Sequence, residues 1–166
     1  SGSTGTPKGV MLHHGGCANM AAGHIKAQAI TCDDRILLST SPGFILGFRE
    51  LCMPLMSGAA FVPASRALLN EPDAFVAMMG RHKVSIALLT PSYLRLFNGV
   101  VPHGLRCIIT AGERPNGGDA RHYGRQIEYW NVHGATEVCG TICMHRVNGE
   151  STEGPIPSGR PFANTR

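Results

Sequence analysis

The sequence predicts an α/β fold: a layered, mostly parallel sheet with flanking helices. Two observations support this prediction. Helical patterns alternate along the chain with apolar runs of strand length. The runs Val84–Leu89 and Leu105–Thr110 are apolar for most of their length, which is typical of strands buried on both faces of a parallel sheet. We therefore expect helices on both sides of the sheet and a ligand beyond the carboxyl ends of its strands.

The first elements follow this alternation in order. A helix weakened by glycines is predicted over 16–30, and a strand over Arg35–Thr40. A second helix rich in Leu and Met is predicted over Ile45–Met56. Gly58 is placed to end it, because a glycine just past a helix adopts the left-handed conformation at little cost. A short strand is then expected over Ala59–Val62.

The second half continues in the same way. Glu71–His82 carries apolar residues at helical spacing, and Asn70 precedes it as a candidate N-cap. Pro91 is placed to start a short helix, since proline suits a first helical turn. Beyond the two apolar runs named above, Glu128–Trp130 begins a further strand. The segment 149–158 is rich in Gly, Pro and Ser, which predicts a surface loop.

Composition excludes several classes of function. The 166 residues carry a formal net charge of +4 with no basic run, so no nucleic-acid partner is expected. No apolar run reaches membrane-spanning length and no signal peptide is visible, so we expect a cytoplasmic protein without a membrane partner. The six cysteines form no CxxC pair, which favours reduced thiols. The eight histidines are scattered, so no zinc site is expected.

The opening segment is the most informative for function. Ser1–Gly9 holds three glycines, four hydroxyl residues and one lysine. Glycines let backbone N–H groups approach an anion, hydroxyls add donors, and lysine adds a positive charge, so this segment predicts a polyphosphate-binding loop. It does not match the Walker A pattern. A flexible linker is the alternative, and Pro7, Lys8 and the apolar exit Val10–Leu12 argue against it.

Three segments together resemble one family. Ser1–Gly9 is similar to the phosphate loop of the adenylate-forming superfamily, whose members include acyl-CoA synthetases, luciferases and adenylation domains of nonribosomal peptide synthetases. Asn131–Glu137 resembles the family's Asn-x-Tyr-Gly-Pro-Thr-Glu segment, and Gly159–Arg166 resembles a stretch typical of the peptide synthetase branch. The resemblance implies that residues 1–166 are an internal piece of an adenylation domain, truncated at both ends and belonging to its large N-terminal core.

The resemblance also implies roles for individual residues. The glycine-rich loop would hold the β- and γ-phosphates of ATP through Ser1, Gly2, Ser3, Thr4, Gly5, Thr6 and Lys8. Further nucleotide contacts would come from Gly112, Glu113, Asn131, His133, Gly134 and Thr136. The catalytic pair would be Thr136, which bonds the α-phosphate, and Glu137, which holds Mg²⁺. The alternative for Glu137 is an acid in a first helical turn, favoured there by the helix dipole. Two departures are His133 in place of Tyr and Ala135 in place of Pro.

A substrate pocket follows from the same resemblance. Its expected members are Phe44, Ile45, Leu46, Arg49, Leu88, Ile109, Ala111, Val132, Gly140 and Thr141. Ile45 stands where amino-acid-activating members have an Asp that pairs with the substrate's ammonium group. A faulty alignment or a degenerate domain is the alternative explanation. Arg49 either points into the pocket at a polar or anionic end of the substrate or snorkels outward, and the outward orientation is slightly favoured.

The implied chemistry is ATP- and Mg²⁺-dependent activation of a carboxylic acid as an acyl-adenylate. In a nonribosomal peptide synthetase the acceptor is the phosphopantetheine thiol of a carrier-protein domain, so carrier and neighbouring synthetase domains are the expected partners. Ile45 predicts an acid without an α-amino group. Two alternatives are an acyl- or aryl-CoA synthetase and a subdomain that does no chemistry. The family's catalytic lysine, ribose-binding aspartate and hinge are expected outside this sequence, so the isolated chain is expected to be inactive.

Overall fold

The computed structural model describes residue 5, residues 9–149 and residues 154–165. The predicted phosphate-loop residues Ser1–Thr4 and Thr6–Lys8 lie outside the described residues, as do 150–153 and Arg166. Gly5 is exposed, with a positive φ of 87°.

One sheet of seven strands organises the described part of the chain. The strands are β1 Arg35–Leu38, β2 Ala60–Pro63, β3 Ile86–Leu89, β4 Cys107–Thr110, β5 Glu128–His133, β6 Cys143–Val147 and β7 Arg160–Pro161. The α-helices are α1 His14–Ala27, α2 Ile45–Ser57, α3 Pro72–Arg81, α4 Pro91–Arg95 and α5 Gly117–Gly124. Two 3₁₀ turns lie at Leu68–Asn70 and Thr136–Val138.

The strand order is β2-β1-β3-β4-β5-β6-β7. The first five strands are parallel, and β6 and β7 continue the sheet in antiparallel pairing. The predicted fold class is therefore confirmed: a mostly parallel sheet with flanking helices.

Two apolar clusters lie on opposite faces of the sheet, because neighbouring strand residues point to opposite sides. Ile108 of β4 joins one cluster, in which α3, α4 and α5 pack through residues such as Phe75, Leu94 and Tyr123. Ile109 joins the other, in which α2 packs through Met53. Both faces of the parallel strands are thus covered, as their continuous apolar runs predict.

Several local predictions are confirmed and others are wrong. Gly58 follows α2 with a φ of 77°, so it ends the helix as predicted. Asn70 is not the cap of α3: Glu71 occupies that position without a side-chain cap, and Pro72 begins the helix with its fixed φ. The strand predicted to begin with Glu128–Trp130 runs from Glu128 to His133. The predicted surface loop contains Ile156, which is buried in the first cluster.

The segment 162–165 packs back onto α1. Asn19 donates through its side-chain amide to the Ala163 carbonyl at 2.9 Å, and Asn164 donates to the Asn19 side-chain oxygen at 2.6 Å. The ring of Phe162 lies 5.3 Å from that of His24 and contacts the site where Gly23 would carry a side chain. Gly23 therefore permits this close approach.

The remaining expectations concern cysteines, metals and membranes. All six cysteines are free, and burial raises the pKa of Cys107 to about 12. Residues 9–149 and 154–165 hold no group of three or more metal-ligating side chains. No helix in the described part of the chain is long and apolar enough to cross a membrane.

Candidate functional site

The carboxyl ends of the parallel strands form one rim, which we call the carboxyl rim. Thr110, the last residue of β4, pairs with Asn131 of β5. The segment 111–113 after β4 and the segment 134–137 after β5 therefore leave neighbouring strands at the same edge. This arrangement places the predicted nucleotide-binding segments Gly112–Glu113 and Gly134–Glu137 side by side.

Glu113 lies exposed on the carboxyl rim, with its carboxylate attached to the start of α4. Ser92 donates to it through its hydroxyl at 2.8 Å and its backbone N–H at 3.0 Å. Thr90 caps α4 by accepting from the Tyr93 N–H. The preceding Gly112 has a φ of 86°, a conformation that favours glycine.

Asn131 lies within β5 and is 6 % exposed. Its side-chain amide donates to the Pro157 carbonyl at 2.8 Å. Asn131 therefore ties the rim end of β5 to the segment 154–158.

Thr136 and Glu137 lie in the short 3₁₀ turn beyond β5. His133 and Gly134 before them are exposed, and so is Glu137. The Glu137 carboxylate accepts no hydrogen bond from another described residue. An exposed carboxylate with free oxygens fits Mg²⁺, which commonly takes one or two protein carboxylates together with phosphate oxygens. Because Glu137 lies in the first turn of this 3₁₀ segment, its alternative role, an acid favoured there by the helix dipole, also remains open.

Half of the ten residues of the predicted pocket belong to the apolar cluster beneath the carboxyl rim or pack against it. The cluster contains Leu88, Ile109, Ala111 and Val132, and the half-buried Leu46 packs against it. A groove of about 590 Å³ opens at the rim beside it, bordered by Ser39, Thr40, Leu46 and Leu88 among others. Phe44, by contrast, is 63 % exposed at the N-cap of α2.

Ile45 and Gly140 meet where α2 approaches the turn after β5. Gly140 has a φ of 91°, and a Cβ placed there would lie 2.8 Å from Ile45 Cγ1. Glycine at 140 thus permits the close contact. Ile45 is half-buried and presents only hydrocarbon.

Arg49 is 1 % exposed, so the outward orientation slightly favoured from the sequence is wrong. Its Nη1 donates to Thr141 Oγ1 at 3.3 Å and lies 3.2 Å from His24 Nε2. His24 Nε2 is in turn 2.9 Å from Thr141 Oγ1, and His24 Nδ1 is 3.1 Å from Gln28 Oε1. Among the described residues, Arg49 Nε and Nη2 and Gln28 Nε2 find no hydrogen-bond partner. We call these four residues the Arg49 network.

Burial determines which residues of the Arg49 network carry a charge. Burial, and then the nearby Arg49 charge, hold the pKa of His24 well below its usual range, so the imidazole is neutral near pH 7. Arg49 can only donate, so His24 Nε2 accepts and the proton lies on Nδ1, which donates to Gln28. Burial lowers the pKa of Arg49 to about 10, so the guanidinium remains charged.

Glu50 fixes α2 to the rim end of β1. It is fully buried, and one carboxylate oxygen accepts from the backbone N–H groups of Ser39 and Thr40, each at 2.9 Å. The other oxygen accepts from the Thr40 hydroxyl at 2.8 Å. Both oxygens are therefore engaged.

The sequence did not single out His24, Gln28 or Glu50. The only signal for the first two is their i, i+4 spacing on α1, which places them on one helix face.

The chain is similar in sequence to known proteins of one family. The family model described as AMP-binding enzyme matches residues 1–166. Tyrocidine synthase 1 of Brevibacillus parabrevis is 33% identical over 167 residues, covering 99% of this chain and 15% of that protein. The chain thus spans a small part of the length of this relative.

Two solved structures show the same fold. The AMPPNP-bound form of the nonribosomal peptide synthetase FmoA3 superimposes with a TM-score of 0.84 at 26% identity, over 95% of this chain and 18% of that one. The Vibrio cholerae adenylation domain AlmE, in complex with glycyl-adenosine-5'-phosphate, gives a TM-score of 0.85 at 23% identity. The match covers 97% of this chain and 32% of AlmE.

Proposed function

The chain belongs to the AMP-binding enzyme family, and from that premise we propose that it forms part of an adenylation domain that activates a carboxylic acid with ATP. The observation that carries the proposal is the carboxyl rim. Gly112–Glu113 and Gly134–Glu137 follow two paired parallel strands and lie at one edge of the sheet, where α/β folds bind nucleotides.

The proposed reaction is a displacement at phosphorus. A carboxylate oxygen of the acid attacks the α-phosphorus of ATP, the bond from that phosphorus to the bridging oxygen breaks, and pyrophosphate leaves with the electron pair. The products are the acyl-adenylate and pyrophosphate. Such a step depends on positioning and on stabilisation of the phosphate charge.

Several of the predicted residues have a part in this step. The Thr136 hydroxyl donates to an α-phosphate oxygen, and Lys8 with the hydroxyls of the opening loop neutralises the outer phosphates. Glu137 would hold Mg²⁺, which neutralises phosphate charge when bound. His133, exposed at the end of β5, offers a ring for stacking on the adenine.

We propose an acid without an α-ammonium group as substrate. Ile45 offers neither charge nor hydrogen bond, and a buried ammonium without a partner is costly. Arg49 adds a second reason, because its buried positive charge lies one helical turn from Ile45 and repels an ammonium. Glu50, the neighbouring acid, is engaged by Ser39 and Thr40.

The proposed acceptor of the acyl group is the phosphopantetheine thiol of a carrier-protein domain. Support comes from the resemblance of Gly159–Arg166 to peptide synthetases and from the identity with tyrocidine synthase 1. Neighbouring synthetase domains would be its partners. We expect the full-length protein to load the acyl group onto the carrier protein and to form no product when free CoA is the acceptor.

The test is ATP–pyrophosphate exchange by the full-length protein that carries this sequence. Each amino acid is assayed beside its α-keto and α-hydroxy analogues, so that side chain and length stay constant. We expect the keto or hydroxy acid of a set to give faster exchange. A consistent preference for the amino acids would contradict the role given to Ile45, and absence of exchange with every acid would contradict the proposed activity. The isolated chain of 166 residues is expected to give little exchange.

A further inference from the structure

Arg49 is a buried cation with no anion in direct contact among the described residues, although the charge of Glu50 favours its charged form from a distance. Ion pairs among residues 9–149 and 154–165 involve other arginines, namely Arg95, Arg106 and Arg146. The hydrogen-bond partners of Arg49 are the neutral groups of Thr141 and His24, and both serve the same nitrogen, Nη1. Nε and Nη2 are left without partners.

Such an arrangement is costly unless an anion completes it. An uncompensated charge in a protein interior loses its hydration, and charged groups found there are normally paired. Deprotonation does not relieve the cost near neutral pH, because Arg49 keeps a pKa of about 10. Glu50 does not relieve it by direct contact, because its two oxygens are taken by Ser39 and Thr40.

The position of Arg49 relates it to the site on the carboxyl rim. Residues 45 and 49 share one face of α2, one turn apart, and a turn rises about 5.4 Å. Ile45 contacts Gly140, and Arg49 bonds to the next residue, Thr141. Since α2 starts just after the rim end of β1, Arg49 lies one turn farther from the rim than Ile45.

We propose that Arg49 is the receptor for a second carboxylate, carried by the substrate at the end remote from the carboxylate that is activated. This inference rests on the proposed function and narrows its substrate to dicarboxylic acids without an α-ammonium group. The two free nitrogens Nε and Nη2 lie side by side on the planar guanidinium, which is the geometry that binds a carboxylate in a bidentate pair.

His24 and Gln28 act as positioning residues for this receptor. Gln28 accepts the Nδ1 proton of His24 and thereby turns the Nε2 lone pair toward Arg49 Nη1. Thr141, in the loop before β6, accepts from the same Nη1 through its hydroxyl oxygen. Nη1 is therefore occupied, and the Nε–Nη2 edge is the one left for a ligand.

The first experiment compares acids that differ only at the remote end. In the full-length protein, straight-chain dicarboxylic acids of four to six carbons are assayed by ATP–pyrophosphate exchange beside their half methyl esters and the monocarboxylic acids of equal length. The wild type should prefer the best dicarboxylic acid by about 10²-fold or more in kcat/KM, since a site built for a polar group rejects analogues that lack it. Equal or better use of the monocarboxylic acid by the wild type would overturn the inference.

The second part of the experiment tests whether Arg49 causes the preference for dicarboxylic acids. Arg49→Met should raise KM for the dicarboxylic acid, leave KM for the monocarboxylic acid close to its wild-type value, and abolish or invert the preference. Arg49→Lys should keep part of it, because the charge remains and the planar fork is lost. Arg81→Met is the matched control: Arg81 is exposed at the end of α3, and the ratio should not change. An unchanged ratio in Arg49→Met would overturn the inference.

A binding measurement separates this inference from the proposed activity. Calorimetric titration with the dicarboxylic acid in the absence of ATP should show binding to the wild type and at least about tenfold weaker binding to Arg49→Met. If no acid supports exchange but this difference in binding appears, the proposed activity fails and the receptor stands. If exchange occurs but both proteins bind the dicarboxylic acid equally, the receptor fails and the activity stands. If Arg49→Met does not fold, the wild-type preference between dicarboxylic and monocarboxylic acids decides whether the inference about Arg49 stands.

Discussion

Glu50 provides the sharpest test of how the carboxyl rim is held in place. Its carboxylate accepts two backbone N–H groups and one hydroxyl at the end of β1. Glu50→Ala removes all three hydrogen bonds at once. Glu50→Gln keeps two of them, because its amide oxygen can accept both N–H groups, and it replaces the third by a bond in the reverse direction, from its NH₂ to the Thr40 hydroxyl. We therefore expect a large loss of stability from Glu50→Ala and little change from Glu50→Gln, although both substitutions remove the same charge.

The magnitudes follow from the hydrogen bonds. A buried donor left without a partner costs about 1–3 kcal/mol. Ser39 and Thr40 are half-buried, so water can replace part of the loss. Glu50→Ala should lower the free energy of unfolding by about 2–4 kcal/mol, and Glu50→Gln should change it by about 1 kcal/mol or less.

The effect of Glu50→Gln should depend on pH with a defined sign. Burial raises the pKa of Glu50 in the folded protein above its usual range, although bonds from Thr40 and Ser39 and the Arg49 charge oppose the shift. Protonation therefore favours folding, and this contribution is complete below the unfolded pKa of about 4.3 and is lost as pH rises through the folded pKa. Glutamine does not titrate, so Glu50→Gln should gain stability relative to the wild type as the pH rises from about 4 to neutrality.

The assay is hydrogen–deuterium exchange of peptides that contain residues 36–44, with thermal unfolding of the same proteins. Glu50→Ala should expose the Ser39 and Thr40 amides to exchange, and Glu50→Gln should leave them protected. Glu71→Gln, at an exposed acid, is the control. Equal loss of protection in the Ala and Gln variants would refute the reasoning, because it would mean that the negative charge and not the acceptor geometry holds the rim.

Three further predictions concern other parts of the chain. Glu137→Gln should slow exchange in the full-length protein by about 10²–10³ and raise its Mg²⁺ requirement, and unchanged kinetics would remove Glu137 from the site. Gly140→Ala should lower thermal stability, because its φ is 91° and its Cβ would lie 2.8 Å from Ile45 Cγ1; adding Ile45→Ala should restore part of the loss, and no restoration would contradict the packing argument. Asp34→Asn should cost about 1.5–3 kcal/mol near pH 7, measured by urea unfolding. Burial works to raise the pKa of Asp34, but hydrogen bonds, chiefly from Arg106, outweigh it and lower the pKa, so the wild-type advantage should vanish as pH falls through that lowered value and not as pH rises.

The sequence predicts the parallel part of the fold because its signals are local. The strand β3 is an unbroken apolar run and β4 is apolar up to its last residue, Thr110. Gly58 marks the end of α2 by a backbone conformation that glycine adopts freely. Each of these signals lies within a few residues of the feature that it specifies.

The elements that the sequence missed depend on distant partners. The helix α5 contains three glycines, which oppose helix formation, and its stability comes from the Asn116 cap and from burial of Ala120 and Tyr123. The strand β6 carries His145 and Arg146 and shows no alternation, so only its pairing with β5 reveals it.

The burial of polar residues at the site could not be predicted for a related reason: Arg49 was named from the sequence but with the wrong orientation slightly favoured, and His24 was not named. A buried arginine or histidine has the same side chain as an exposed one. What identifies Arg49 is Thr141, 92 residues away, and His24, 25 residues away. Only the folded chain places these groups together.

The contact between the segment 162–165 and α1 has a consequence for folding during synthesis. Asn19 and Ala163 are separated by 144 positions, and Asn19 and Asn164 by 145. At typical elongation rates of about 5–20 residues per second, the ribosome needs about 7–30 seconds to make the stretch between them. Until then the face of α1 around Gly23 and His24 has no covering ring from Phe162. Of the described helices and strands, α1 is made first, and its contact with Phe162 forms after the last of them has been made, so a chaperone that acts on the nascent chain should contact α1 until residue 162 has left the tunnel.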